Sequence, residues 1–446
     1  MARVVLNTFG SLGDLHPYLA IAIALKQRGH APVVATSEIY RGKVEGEGVG
    51  FYAVRPNVGE LLDRQDFIEK LWHPRLGTEH LFRDYLLPAL EAGYEDLLGA
   101  CRAADLVLTH AAALAGPIAA ERLGIPWAAL VLQPITFLST YDPPVIAPAA
   151  WLRHLYPLGR FPFQAAMALG RAQLARWAEP MVALRKRVGL PTTAKNPLLV
   201  GQFSDYGTLA LFSRAFATPQ PDWPSRTCQT GFVFYDRLGI GLAPDANGES
   251  GLKDFLDEGP EPVLLTLGSS AVMHPGQFYS ESVQAAQKLG LRAVLLVGPQ
   301  AASDWNHLPS SMFAAGYVPF SEIMPRCAVT VHQGGIGTTA QALRAGRPTL
   351  VVPWAHDQPD NAERLRKIGV SRTVPRAKYR AERIARELDT VLKKASYAEK
   401  ARTVADQIAK ENGTAAACDA IESLIASSVL SDALCGQRPG SQRTPR

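Results

Sequence analysis

Between residues 329 and 362 the chain reads VTVHQGGIGTTAQALRAGRPTLVVPWAHDQPDNA. Few local folds accommodate that order of residues. The apolar run at 329–331 predicts a short buried strand. The following HQGGIG holds too many glycines for a helix interior and predicts a turn. Residues 338–345 predict a helix, ended by Gly346, and 349–352 a second strand closed by Pro353. Such a turn leaves backbone N–H groups unpaired at a helix N-terminus, where the dipole adds about half a positive charge. Phosphate is the commonest occupant of a site of that kind. His332 enters it from the preceding strand, and Asp357-Gln358 leave the next strand on the same sheet edge. A carboxylate beside an amide can both accept from and donate to sugar hydroxyls. Together these features suit a nucleotide sugar.

The rest of the chain supports an α/β fold. Strands are expected at 4–8, 32–36, 49–54, 105–109 and 127–132, with helices at 17–28 and 115–123 between them. Alternation resumes at 263–267 and 293–297. This βα rhythm implies parallel sheets covered by helices on both faces, with ligands at the carboxyl ends of strands. A proline cluster at 141–162 and an amphipathic stretch at 163–188 break the rhythm and could wall an acceptor pocket or simply pack the core. A length of 446 residues fits two such domains of about 200 residues each. The expected division is an N-terminal domain at 1–217, a linker at 218–250 and a C-terminal domain at 251–426. The last helix, within 397–426, could return to the first domain, and 427–446 is expected to be a disordered tail.

Charge and cysteine usage exclude several classes. A net charge of +5 without a long Lys/Arg run weighs against nucleic acid as partner. Five scattered cysteines without C-x-x-C argue for a reducing compartment and against structural zinc. No signal peptide and no apolar run of about 18 residues is evident, so a cytoplasmic location is expected.

H-x-G-G-x-G-T-T followed by P-x-x-x-D-Q-x-x-N-A resembles the donor signature of the inverting, nucleotide-sugar-dependent glycosyltransferases of the GT-B fold (glycosyltransferase family 1). GSLGDLHP at 10–17 is similar to that family's opening G-S-x-G-D-x-x-P. PQPDWP at 219–224 and the TGF after it resemble the interdomain region of a bacterial branch with rhamnosyltransferases and sterol-glucosyltransferase-like enzymes. The likeness covers roughly residues 3–426. It implies two Rossmann-like domains facing across a cleft, acceptor on the first and nucleotide sugar on the second. It further implies an enzyme that moves rhamnose or glucose from a UDP- or dTDP-sugar to a hydroxyl of a hydrophobic acceptor. Polyphenols, sterols, macrolides and hydroxy-fatty acyl compounds are the candidate acceptors. The sugar nucleotide would be a co-substrate, with no cofactor besides. A peripheral membrane contact and the oligomeric state are left open.

By that resemblance His332, Gly334, Gly335, Gly337 and Thr338 would hold the donor diphosphate, with Ser269 and Ser270 in a second phosphate loop. Tyr317 and Val318 would hold the base, although Phe320 replaces the usual Gln or His. Asp357 and Gln358 would grip the sugar, with His356 lining the same pocket. The base that deprotonates the acceptor is expected among Asp14, His16 and His110, which end strands of the first sheet. No D-x-D occurs to hold a metal-bound diphosphate, so no metal is expected. An epimerase or hydrolase of the same fold is the main alternative. A dehydrogenase is weaker, because Gly10, Gly13 and Glu38 give only a partial dinucleotide fingerprint. A non-catalytic nucleotide-sugar sensor is a further alternative.

Overall fold

The structure, a computed structural model, describes residues 1–62, 64–191, 195–235, 248–298, 305 and 307–434. Two wholly parallel sheets organise it. The first contains β1 (Arg3–Asn7), β2 (Ala31–Thr36), β3 (Gly50–Ala53), β4 (Leu106–His110), β5 (Trp127–Val131), β6 (Thr208–Ala210) and β7 (Thr227–Gln229), in spatial order β3-β2-β1-β4-β5-β6-β7. The second contains β8 (Val263–Thr266), β9 (Ala293–Leu296), β10 (Met312–Ala315), β11 (Val329–His332), β12 (Thr349–Val351) and β13 (Ser371–Thr373), in order β10-β9-β8-β11-β12-β13. Helices cover both faces, so segments such as LVLTH and AVLL are buried at every residue. Each sheet reverses its order beside its first strand, between β1 and β4 and between β8 and β11. Crevices at such reversals are where doubly wound sheets bind ligands.

Several elements differ from expectation. The first helix spans Leu12–Gln27 and starts before Pro17, because Ser11 and Asp14 form a reciprocal capping box. The 163–188 pattern divides into helices Arg160–Trp177 and Glu179–Arg187. The expected linker contains β7. Its start is packed rather than free: Trp223 stacks on Phe137 at 4.4 Å, and Asp222 accepts hydrogen bonds from Ser139 Oγ at 2.6 Å and Thr140 N at 2.7 Å. Residues 236–247 of that linker lie outside the described residues.

The final pattern is also two helices, Ser396–Ile408 and Gly413–Leu434. The second returns to the first domain. Ala417, Cys418 and Ile421 join the apolar cluster of Val4, Leu6 and Leu19, and Arg28 pairs with Asp419 at 2.6 Å and Glu422 at 2.9 Å. It continues into the range expected as tail, while residues 435–446 lie outside the described ones. In the other direction, Phe67, Ile68, Trp72 and Tyr85 pack into the core of the second sheet. The two domains therefore share apolar contacts on both sides of the cleft. Among the described residues no helix is long and apolar enough to cross a membrane.

Candidate active site

The glycine turn expected to hold phosphate takes its shape from β11 and the helix Ile336–Arg344 behind it. Gly334 has φ 88°, and a Cβ there would sit 2.8 Å from Val351 Cγ1, so only glycine fits. Its N–H donates to His332 Nδ1 at 3.1 Å. That bond fixes the tautomer: Nδ1 accepts, so Nε2 carries the hydrogen. Burial pushes the imidazole pKa down to about 3, so the ring is neutral at pH 7. Nε2 is itself buried and has no hydrogen-bond partner among the described residues. An unsatisfied buried donor costs about 1–3 kcal/mol, which a ligand acceptor would remove. Gly335 caps the helix without a side-chain bond, leaving first-turn N–H groups available to an anion.

The second loop follows β8 and meets the first. Gly268, with φ 65°, lies so close to Gln333 and Thr338 that a Cβ would fall 2.4 Å from Gln333 Nε2 and 3.0 Å from Thr338 Oγ1. Ser269 is exposed at the start of the short helix Gly268–Ala271, to which Ser270 also belongs. Tyr317 and Val318 follow β10 and are half-buried, with Val318 packed on the Leu264 and Met324 cluster. Strands lie about 4.8 Å apart, so β10 stands about 14 Å from β11 across the sheet edge.

Past β12 the chain forms the WAHDQ loop. Asp357 Oδ2 accepts from Asn361 Nδ2 at 2.6 Å, and the same amide donates to Gly334 O at 2.9 Å. Asn361 thus ties the phosphate turn to the acid beside it. It stands in the quoted motif but received no role there; its place one turn after Asp357 was the available signal. The Asp357 pKa is raised to about 7, by burial first and then by the charge of Asp14 across the cleft.

Two neighbours of Asp357 differ from the sequence reading. Gln358 Oε1 already accepts from Trp354 N at 2.8 Å and Ala355 N at 3.2 Å, so its carbonyl is committed to shaping the loop. His356 turns away towards the first domain. Its backbone is left-handed at φ 58°, its Nδ1 bonds Thr78 Oγ1 at 3.1 Å, and its ring meets Trp72 at 5.6 Å. A left-handed residue with a Cβ costs about 1–2 kcal/mol, and here the domain contact maintains it. A second tie lies beneath: Asp360 accepts from Val145 N at 2.9 Å and from Arg364 Nε at 2.7 Å, while Arg364 also reaches Asp142.

Opposite, the reversal between β1 and β4 brings Asp14 and His110 together. Asp14 divides its two oxygens. Oδ2 accepts from Ser11 N at 2.8 Å, completing the helix cap, and Oδ1 lies 3.9 Å from His110 Nε2. His110 is buried beneath, while Asp14 is 27% exposed, so a ligand in the cleft meets the carboxylate first. Burial lowers the His110 pKa, opposed by the Asp14 charge and the Phe9 carbonyl. His16 is not brought to this pair. Two residues further along a helix is about 200° around it, and the ring packs on Tyr235 at 4.9 Å. There burial, with Lys43 nearby, holds its pKa down at about 3. A Cβ on Gly337 would stand 3.7 Å from Gly13 Cα, so the two helix N-termini nearly touch across the cleft.

Comparison with known proteins agrees with the two-sheet fold. Residues 281–424 match the family described as "Erythromycin biosynthesis protein CIII-like, C-terminal domain". The chain is 33% identical over 439 residues to the O-mycaminosyltylonolide 6-deoxyallosyltransferase of Streptomyces fradiae, covering 94% of this chain and 97% of that one. It is 29% identical to the sterol 3-beta-glucosyltransferase of Cryptococcus neoformans var. neoformans over 94% of its own length, but spans only 27% of that larger protein. The glycosyltransferase VinC, solved with dTDP, superposes with a TM-score of 0.65 at 20% identity, covering 96% of this chain and 100% of that one. The chain belongs to the nucleotide-sugar-dependent glycosyltransferases of the GT-B fold, glycosyltransferase family 1.

Proposed function

We propose that this enzyme transfers rhamnose, a related 6-deoxyhexose or glucose from a dTDP- or UDP-sugar to a hydroxyl of a hydrophobic natural product or sterol, with inversion. One observation carries the reading. Along the carboxyl edge of the second sheet, the Tyr317 turn, the His332 turn and the Asp357 loop follow β10, β11 and β12. That is the order base, diphosphate, sugar, and Asp14 lies near the sugar end, close enough to perturb Asp357. The named substrates of the relatives, a glycosylated tylonolide and sterols, suggest the acceptor class.

In this mechanism Asp14, backed by His110, takes the proton of the acceptor hydroxyl as its oxygen attacks the anomeric carbon. The bond to the diphosphate breaks on the opposite face. His332 Nε2–H and the first-turn amides meet the developing charge, and donors fixed in advance avoid reorganisation. Asp357 and the amide group of Gln358 hold sugar hydroxyls, which aligns the carbon for attack.

A mass-spectrometric screen of dTDP- and UDP-sugars against hydrophobic alcohols and phenols, run in EDTA, tests this. Glycosylated product should form only when donor and acceptor are both present, and chelation should leave the rate unchanged. Donor consumed equally without acceptor would make the protein a hydrolase or epimerase. Activity lost in EDTA and restored by Mg²⁺ would remove His332 and the amides as the main leaving-group stabilisers.

Asp357 gives a separate expectation. Asp357→Asn should raise donor KM while leaving affinity for free dTDP nearly unchanged, since the sugar grip is remote from the base. Its elevated pKa also links to stability. Between the ordinary carboxylate value of 3.8 and about 7 the folded state keeps a proton that the unfolded state has lost. Stability therefore falls as pH rises through that window. The melting temperature of Asp357→Asn relative to wild type should climb from pH 4 to 7 and then level. A flat difference would show that Asp357 ionises normally.

A further inference from the structure

We propose that the C-terminal domain carries a second anion site, at the end of the Gln358–Ile368 helix remote from the donor loop, built for a multiply charged phosphoanion. The helix begins at the sugar-binding end of the cleft and runs 11 residues, about 16 Å, to this site. There a cavity of about 370 Å³ opens against β13, the edge strand of the second sheet. That volume falls within the roughly 300–1,000 Å³ of small-ligand sites.

Its lining is strongly one-signed. Arg366, Arg372, Arg383, Lys394 and Lys400 face a single carboxylate, Glu387. Arg372 pairs with Glu387, and Arg366 with Glu363 at 2.7 Å. Arg383, Lys394 and Lys400 have no carboxylate partner among the described residues. Two polar atoms are also left over: Arg383 Nε and Ser371 Oγ are buried without hydrogen-bond partners among the described residues, and Ser371 is 2% exposed. Lys400 is drawn in over the chain, its Nζ 2.7 Å from where a Cβ on Gly369 would stand. Tyr397 adds a hydroxyl 3.5 Å from Arg372 Nη1, and its ring lies 6.0 Å from Lys394 Nζ.

The cations here outnumber the carboxylates that pair with them, so an anion entering among them gains net attraction. Guanidinium forks match phosphate oxygens two at a time, and ammonium groups add point charge. The residues converge from the helix end, β13 and the helices Ala381–Lys393 and Ser396–Ile408, so they share a place without being neighbours in sequence. A diphosphate group, free or on a nucleoside, has the charge and compactness that fit.

Calorimetric titration with inorganic pyrophosphate and with dTDP separates this site from the donor site. The proteins are wild type, His332→Ala, an Arg383→Gln/Lys400→Gln double variant with and without His332→Ala, and the single variant Lys394→Gln, each checked for folding by circular dichroism. Pyrophosphate should still bind His332→Ala, in which the donor diphosphate site is weakened, and adding Arg383→Gln/Lys400→Gln to that background should weaken the remaining binding at least about tenfold. Lys394→Gln, altering one exposed-end cation, should weaken binding by a smaller factor if the double variant does not fold. Binding should also weaken as NaCl is raised. In the His332→Ala background, dTDP binding that weakens with the cavity substitutions as much as pyrophosphate binding does assigns the ligand to the nucleotide pool, and weakening confined to pyrophosphate assigns it to free phosphoanions. Pyrophosphate binding that is lost in His332→Ala but unchanged in the cavity variants would overturn the proposal, as would no binding to wild type at about 10 mM.

Discussion

Asp14→Asn is expected to lower kcat by about 10²–10⁴, the range for losing a general base, with donor affinity nearly unchanged. The carboxylate is the cleft-facing member of the Asp14–His110 pair, with Oδ1 3.9 Å from His110 Nε2. Asparagine keeps its size and an oxygen for the Ser11 cap, so the first helix should still form. The loss should be largest for aliphatic alcohols and smaller for acidic phenols, which part with a proton more readily. A defect equal across acceptors of different acidity would assign Asp14 to positioning. If His110→Ala abolishes turnover while Asp14→Asn retains it, the roles are reversed and Asp14 is only a cap. His16→Ala, which removes a ring packed on Tyr235, should cost far less.

His332→Ala is expected to reduce turnover by about 10²–10³ at saturating donor, the cost of one preorganised donor to a developing negative charge. The ring is buried and neutral, its tautomer is fixed by the Gly334 N–H donating to Nδ1, and Nε2 has no hydrogen-bond partner among the described residues. Steady-state kinetics at saturating acceptor check this. The defect should appear in kcat rather than in KM alone, because the diphosphate charge it meets grows in the transition state. Near-normal kcat would remove His332 from the chemistry and leave the turn amides as the phosphate site.

The paths to these two residues differed in how far the sequence revealed them. The phosphate turn is local: strand, glycines, helix and loop occupy one continuous stretch, and each step has its own chemical signature. His332, Gly334, Gly335, Gly337 and Thr338 could therefore be placed together before any coordinates. The base could not. Asp14, His16 and His110 were equivalent at the level of strand ends, and helix phase and strand order separated them. His356 was misplaced for a related reason, since its left-handed backbone and bond to Thr78 depend on a segment some 280 residues earlier in the chain. Gln358 looked free because its bonds to Trp354 and Ala355 are made by loop curvature, not by spacing. The central strands were legible from buried apolar runs, while β6, β7, β10 and β13, of three or four residues each, did not stand out from the segments around them.

The configuration of the new glycosidic bond tests the proposed chemistry most directly. In the proposed mechanism the base, Asp14, lies on the first domain and the diphosphate site on the second, with the sugar held between them. That proposed placement would put attack and departure on opposite faces of the anomeric carbon. With a donor of known anomeric configuration, the one-bond carbon–hydrogen and vicinal proton couplings of the isolated product should report inversion. A product that retains the donor's configuration would contradict direct displacement by an acceptor activated at Asp14.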